Sequence, residues 1–134
     1  MVVRSMPMKN PAIQYDPLTR KIIACAIEVH KRLGPGLLEK LYKEAMVIEM
    51  ELQGLKVEKN VKVPVEYKGK PIGEYFIDLL VEDTVILELK SVERHDSVFE
   101  SQILSYMKLT GKKVGLLINF NSKMVKDGIK RFVL

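Results

Sequence analysis

The chain has almost nothing that would staple or anchor it from outside a core. It holds one cysteine, Cys25, so no disulfide can close within it and no thiolate cage can hold a metal. That economy fits a reducing cytoplasm, the expected location. No apolar run approaches the roughly 18 residues that a membrane span needs, so no membrane partner is expected. The first sixteen residues, MVVRSMPMKNPAIQYD, lack the apolar stretch of a signal peptide. Six prolines and eight glycines are too few for a collagen-like or linker-dominated chain. Internal repeats and low-complexity tracts are missing as well.

What remains is an ordinary globular composition. The 134 residues make one domain, long enough to bury a core. Hydrophobic residues account for 47% and charged ones for 29%, with a mean hydropathy of +0.02, which argues against disorder. Twenty-two Lys+Arg against 17 Asp+Glu leave a net charge of +5, a mild lean toward polyanionic partners.

Residues 1–15 read as a loose N-terminal arm and 16–134 as the domain. Asp16-Pro17 has the form of a helix start, with Asp16 as cap. Leu18, Ile22, Ala26, Val29 and Leu33 then recur at helical spacing until Gly34-Pro35-Gly36. A second helix is predicted from Leu37 to Gln53, with Leu37, Leu41, Ala45, Ile48 and Leu52 as its buried stripe. Beyond Gly54 the period changes to two. Val61, Val63, Val65 and Tyr67 make one strand, and Glu74 to Val81 and Val85 to Ser91 make two more. Ser97-Val98-Phe99-Glu100 has the capping-box form and opens a helix ending at Thr110-Gly111. Val114 to Phe120 reads as a buried strand, followed by a short basic helix or tail. The order is that of an α/β domain with a mixed sheet.

The hairpin from Glu74 to Ser91 carries the chemistry. With Glu82, Asp83 and Thr84 as a three-residue loop, Val81 faces Val85, Leu79 faces Leu87 and Ile77 faces Leu89, a wholly aliphatic face. The other face then pairs Leu80 with Ile86, Asp78 with Glu88, and Phe76 with Lys90. Like charges directly opposed across strands are destabilising. A shared divalent cation would resolve the conflict, because carboxylate oxygens are its preferred ligands. The alternative is a solvated pair of acids screened by Lys90, worth about 0–1 kcal/mol.

Asp78 followed by Glu88-Leu89-Lys90 resembles the core signature of the PD-(D/E)XK nuclease superfamily, with Ile77 where the name has proline. Gly36-Leu37-Leu38-Glu39-Lys40-Leu41-Tyr42 is similar to the motif that names the GxxExxY family within it. Val29 to Gly36 and Gly115 to Phe120 resemble that family too, so the likeness runs from about residue 18 to the end. It implies a restriction-endonuclease-like αβββαβ core, a mixed central sheet flanked by helices. It implies a metal held by Asp78, Glu88 and the Leu89 carbonyl, with Glu39 assisting, and Lys90 as the catalytic lysine. Gln102 and Tyr106 resemble a Gln-x-x-x-Tyr helix motif of the exonuclease-like branch.

Alternatives stand beside several of these roles. Glu39 also suits the first turn of a helix through the helix dipole, and Gln102 also suits ordinary polar packing. Tyr42 and His30 read as packing residues, and His95 as a residue of a solvated loop. The function expected is a Mg2+- or Mn2+-dependent nuclease acting on nucleic acid, DNA by preference. A homodimer or a protein partner would enlarge the small surface available to a duplex. The alternative is a catalytically silent module of the same fold that binds nucleic acid or a protein.

Overall fold

The computed structural model describes residues 4–7 and 16–134. Its elements run β1 (Arg4–Pro7), α1 (Pro17–Leu33), α2 (Glu39–Leu52), β2 (Val57–Tyr67), β3 (Lys70–Val81), β4 (Val85–Lys90), α3 (Ser97–Thr110), β5 (Val114–Asn119), a 3-10 turn (Val125–Gly128) and β6 (Ile129–Val133). The strands form one sheet in the order β1-β6-β5-β4-β3-β2. Only β4 and β5 are parallel among the paired neighbours. A parallel pair needs a crossover, and α3 supplies it. This is the expected α/β architecture with a mixed sheet between helices.

Each face of the sheet has its own core. Leu79, Val81, Leu87, Leu89, Leu116 and Ile118 pack against α1 and α2. Leu80, Ile86 and Leu117 pack with Ile103, Tyr106 and Met107 of α3. Gly115 lets α3 lie close to β5, since a Cβ there would come within 3.0 Å of Ile103 and 2.9 Å of the Met107 sulfur. Among the described residues no helix is long and apolar enough to cross a membrane.

Local signals held at several ends. Asp16 caps α1 by accepting from Thr19 N–H at 2.9 Å, with Pro17 in the first turn. The cap of α3 is Asp96, not Ser97. Asp96 accepts from Val98 N–H at 3.0 Å, while Glu100 reaches Lys130 at 2.8 Å and also meets His95. Lys130 lies across the fold and draws the Glu100 carboxylate away from the helix end, so the capping box does not close.

Three expectations need correcting. Of the stripe assigned to the core of α2, Leu37 and Ala45 pack against the core, but Leu41, Ile48 and Leu52 face outward, 45%, 61% and 73% exposed. Tyr42, Met46 and Met50 fill the core instead. The helix carries two apolar stripes side by side, and the ring of Tyr42 selects between them by stacking on Phe120 at 4.4 Å. The C-terminal basic segment is not a helix or tail but a 3-10 turn leading into β6. Within the segment read as a loose arm, Arg4–Pro7 pairs antiparallel with β6, which satisfies backbone groups at that edge; the rest of that arm lies outside the described residues.

Candidate functional site

The hairpin of β3 and β4 closes on the predicted loop. Glu82 and Asp83 take positive φ of 51° and 57°, and Thr84 N–H donates to the Val81 carbonyl at 3.0 Å. Val81 then faces Val85, Leu80 faces Ile86 and Leu79 faces Leu87, as the hydrophobic pattern requires. There the ladder stops. The expected pairs Asp78 with Glu88, Ile77 with Leu89 and Phe76 with Lys90 do not form. Below this point β3 stays with β2 and β4 stays with β5, so the sheet forks.

A fork strands backbone donors that must find acceptors. The two acids supply them. Asp78 N–H donates to Glu88 Oε2 at 2.8 Å, and Leu89 N–H donates to Asp78 Oδ2 at 2.8 Å. Each carboxylate thus crosses the gap and uses one oxygen on the opposite strand. Asp78 Oδ1 and Glu88 Oε1 are left for other partners. Glu88 is only 5% exposed, while Asp78 keeps 26% of its side chain exposed, so the two acids are not a uniformly solvated pair. Burial, and then the neighbouring charge of Asp78, push the Glu88 carboxyl up to about 8, against smaller opposing pulls from the Asp78 amide, Lys90 and Lys43.

Lys90 is close enough to the acids for its charge to act on Glu88. It lies two residues after Glu88 on β4, and its ammonium sits over the Phe99 ring, 4.4 Å from the centroid. The ring replaces the predicted Phe76, which stays with Lys62 on β2 and is half exposed. Beside Lys90 opens a cavity of about 280 Å³, walled also by His95, Phe99, Asn119, Ser122 and Lys130. Asn119, facing Lys90 in the β4–β5 pair, holds the chain just past β4. Its side chain donates to the Val92 carbonyl at 2.9 Å and accepts from Val92 N–H at 3.1 Å.

The strand break, the crossed acids and the following lysine coincide with a sequence relationship. Residues 16–132 match the PD-(D/E)XK nuclease superfamily. The chain belongs to that superfamily. No curated protein and no solved structure matches it.

Not every residue the sequence singled out meets at this PD-(D/E)XK fork. Tyr106 does: it is buried on α3, and its ring lies 5.2 Å from that of Tyr75 on β3. Burial, with the charges of Glu88 and Asp78 and the neighbouring Tyr75, raises its phenol to about 12, so it remains a hydrogen-bond donor. Gln102 lies one turn earlier, half-buried. Glu39 is not gathered with the acid pair. It stands exposed in the first turn of α2, on the wall of a groove shared with Leu37, Ser91 and Asn121. Among the described residues no three His, Cys, Asp or Glu side chains form a cation cage. Tyr42, the tyrosine of the same heptapeptide, closes the loop before α2 by donating to the Gly34 carbonyl at 2.5 Å and accepting from Leu37 N–H at 3.1 Å. His30 is buried against the Ser122 carbonyl, at 2.8 Å, and is a packing residue as expected.

Two residues at the PD-(D/E)XK fork were not foreseen. Lys43 on α2 reaches Asp78 Oδ1 at 3.6 Å and donates to Asn60 Oδ1 at 2.8 Å. Asn60 holds a positive φ of 53° at the position opposite Asp78 that the β2–β3 ladder skips. An asparagine inside an alternating strand is a signal for such a break, because it tolerates the left-handed region better than most residues. The break also lets the strand faces exchange. Ile77, expected beside Leu79, packs instead with Val63 and Tyr106 on the α3 side.

Proposed function

We propose that the chain hydrolyses phosphodiester bonds in nucleic acid, DNA by preference, with Mg2+ or Mn2+ as cofactor. The observation that carries the reading is the crossed pair at the fork. Asp78 and Glu88 each use one oxygen on the opposite strand, which leaves Asp78 Oδ1, now beside Lys43, and Glu88 Oε1 to serve a common ligand. A buried glutamate beside a second carboxylate is an electrostatic conflict that a dication relieves. The donor set is all oxygen, which suits a hard cation. Asp78, Glu88 and the Leu89 carbonyl would hold the ion. Glu39, outside the pair, is assigned no direct ligand role.

When bound, the ion supplies Lewis-acid polarisation of the phosphoryl group and eases removal of a proton from water. The protein's own groups do the rest. Lys90, steadied over Phe99, holds a phosphate oxygen or the attacking water by charge. The Tyr106 phenol, kept protonated, offers a hydrogen-bond donor to a bound phosphate from the α3 side. Gln102 beside it offers an amide to a phosphate or to one of the acids. Asn119 keeps the segment after Lys90 in one conformation. We further assign the chain to the GxxExxY group on the Gly36 to Tyr42 heptapeptide, whose tyrosine here acts as the clasp of the preceding loop.

The test is incubation with labelled single-stranded DNA, duplex DNA and RNA, in chelator, Mg2+ and Mn2+. Native protein runs beside Glu88→Ala and Lys90→Ala. Metal-dependent cleavage that both substitutions abolish supports the assignment. Cleavage that survives both removes it. Thermal stability unmoved by either cation, in the native chain and in Asp78→Ala alike, favours the silent module.

A further inference from the structure

Lys43 has no part in the chemistry above, yet among the described residues it is the cation that pairs with Asp78. Its ammonium lies 3.6 Å from Asp78 Oδ1, the oxygen that the backbone contact leaves unspent. The side chain is 20% exposed, so its field is only partly screened. Asn60 Oδ1 holds the ammonium at 2.8 Å, from a left-handed backbone position that few residues adopt without strain. Lys43 is not the one polar link between α2 and β2 among the described residues. The neighbouring pair Lys59 with Glu44 already spans that seam at 2.9 Å.

Resting on the metal-site assignment above, we infer that Lys43 is the built-in counter-ion of the acid pair, and that a divalent cation binds there only in competition with it. In the metal-free protein Lys43 offsets the charge of Asp78 at the fork. A dication approaching Asp78 Oδ1 meets a fixed positive charge a few ångströms away, which weakens its binding. Asn60 is closer to the ammonium than Asp78 is, so it retains Lys43 after the carboxylate oxygen is taken. Affinity for the ion is therefore set by a residue that never ligates it.

The experiment is calorimetric titration of Mn2+ into the full chain without nucleic acid, for wild type, Lys43→Met, Lys43→Gln and Lys43→Arg. The two neutral variants are expected to bind Mn2+ on the order of tenfold more tightly, as removal of one charge at this range predicts. Lys43→Arg, which keeps the charge, is expected to bind as wild type does. Equal or weaker binding by the folded neutral variants overturns the role of Lys43 while leaving the metal site standing. Absence of Mn2+ binding in wild type and in every variant overturns the metal site, and the counter-ion with it. Failure of both neutral variants to fold makes Lys43 a structural residue and also overturns the inference.

Discussion

The amide of Asp78 donates to the carboxylate of Glu88 at 2.8 Å, although the two residues are not ladder partners. That bond exists because the sheet forks, and the fork exists because β3 follows β2 while β4 follows β5. The acids therefore have a backbone duty before any catalytic one. Substitutions at either position act on the fork as well as on chemistry, and the experiments below are chosen to separate the two.

Stability without metal should fall as pH rises. The Glu88 carboxyl is raised from 4.5 to about 8 in the folded state by burial and the charge of Asp78. The folded chain keeps this proton while the unfolded chain releases it. The stability contributed by the group is full below about 4.5 and is lost as pH rises through about 8. Glu88→Gln retains an oxygen for the Asp78 amide and cannot ionise. Melting curves in chelator across this range should show wild type losing Tm relative to Glu88→Gln on the alkaline side; parallel curves would remove the shifted carboxyl from the account.

Removal of the Lys90 charge should cost rate rather than fold. Lys90→Ala is expected to slow cleavage by about 10²–10³-fold, the usual loss for one well-aimed donor at a developing charge. Lys90→Arg should recover part of it. Single-turnover cleavage with a melting curve on the same preparations checks this; a rate loss matched by a collapse of Tm would point to packing on Phe99 instead.

The Tyr42 hydroxyl should matter to stability through two backbone hydrogen bonds. Tyr42→Phe leaves the Gly34 carbonyl and the Leu37 amide without their partner and keeps the ring stacked on Phe120. The expected cost is about 1–3 kcal/mol by denaturant unfolding. A value within error of zero would mean that water replaces the hydroxyl at no cost.

The start of α3 distinguishes two neighbouring residues. Asp96→Ala should lose about 1 kcal/mol as a true cap. Ser97→Ala should stay within about 0.5 kcal/mol, as an exposed substitution does. Chemical denaturation of both variants side by side is sufficient, and a larger loss at Ser97 would restore the capping box.

Much of this was legible along the chain. Asp16-Pro17 marks the start of α1 because a carboxylate acceptor and a residue without an amide proton are both local answers to a local need. The period-two pattern of Leu79 to Val81 and Val85 to Leu87 set the hairpin register, because a slip of one would bury the wrong face. Asp78, Glu88 and Lys90 stood out because charges are costly on an otherwise aliphatic hairpin.

Other features are properties of distant packing. Which stripe of α2 turns inward depends on Phe120, which comes from the end of β5. That the acids cross rather than face each other depends on neighbouring strands pulling β3 and β4 apart. Lys43 meets Asp78 only because α2 lies over the break at Asn60. Sequence by itself determined which residues carry charge and which local periods they keep. The tertiary structure alone decided which of those charges meet, because Coulomb energy and burial depend on separation in space, and separation along the chain does not encode it.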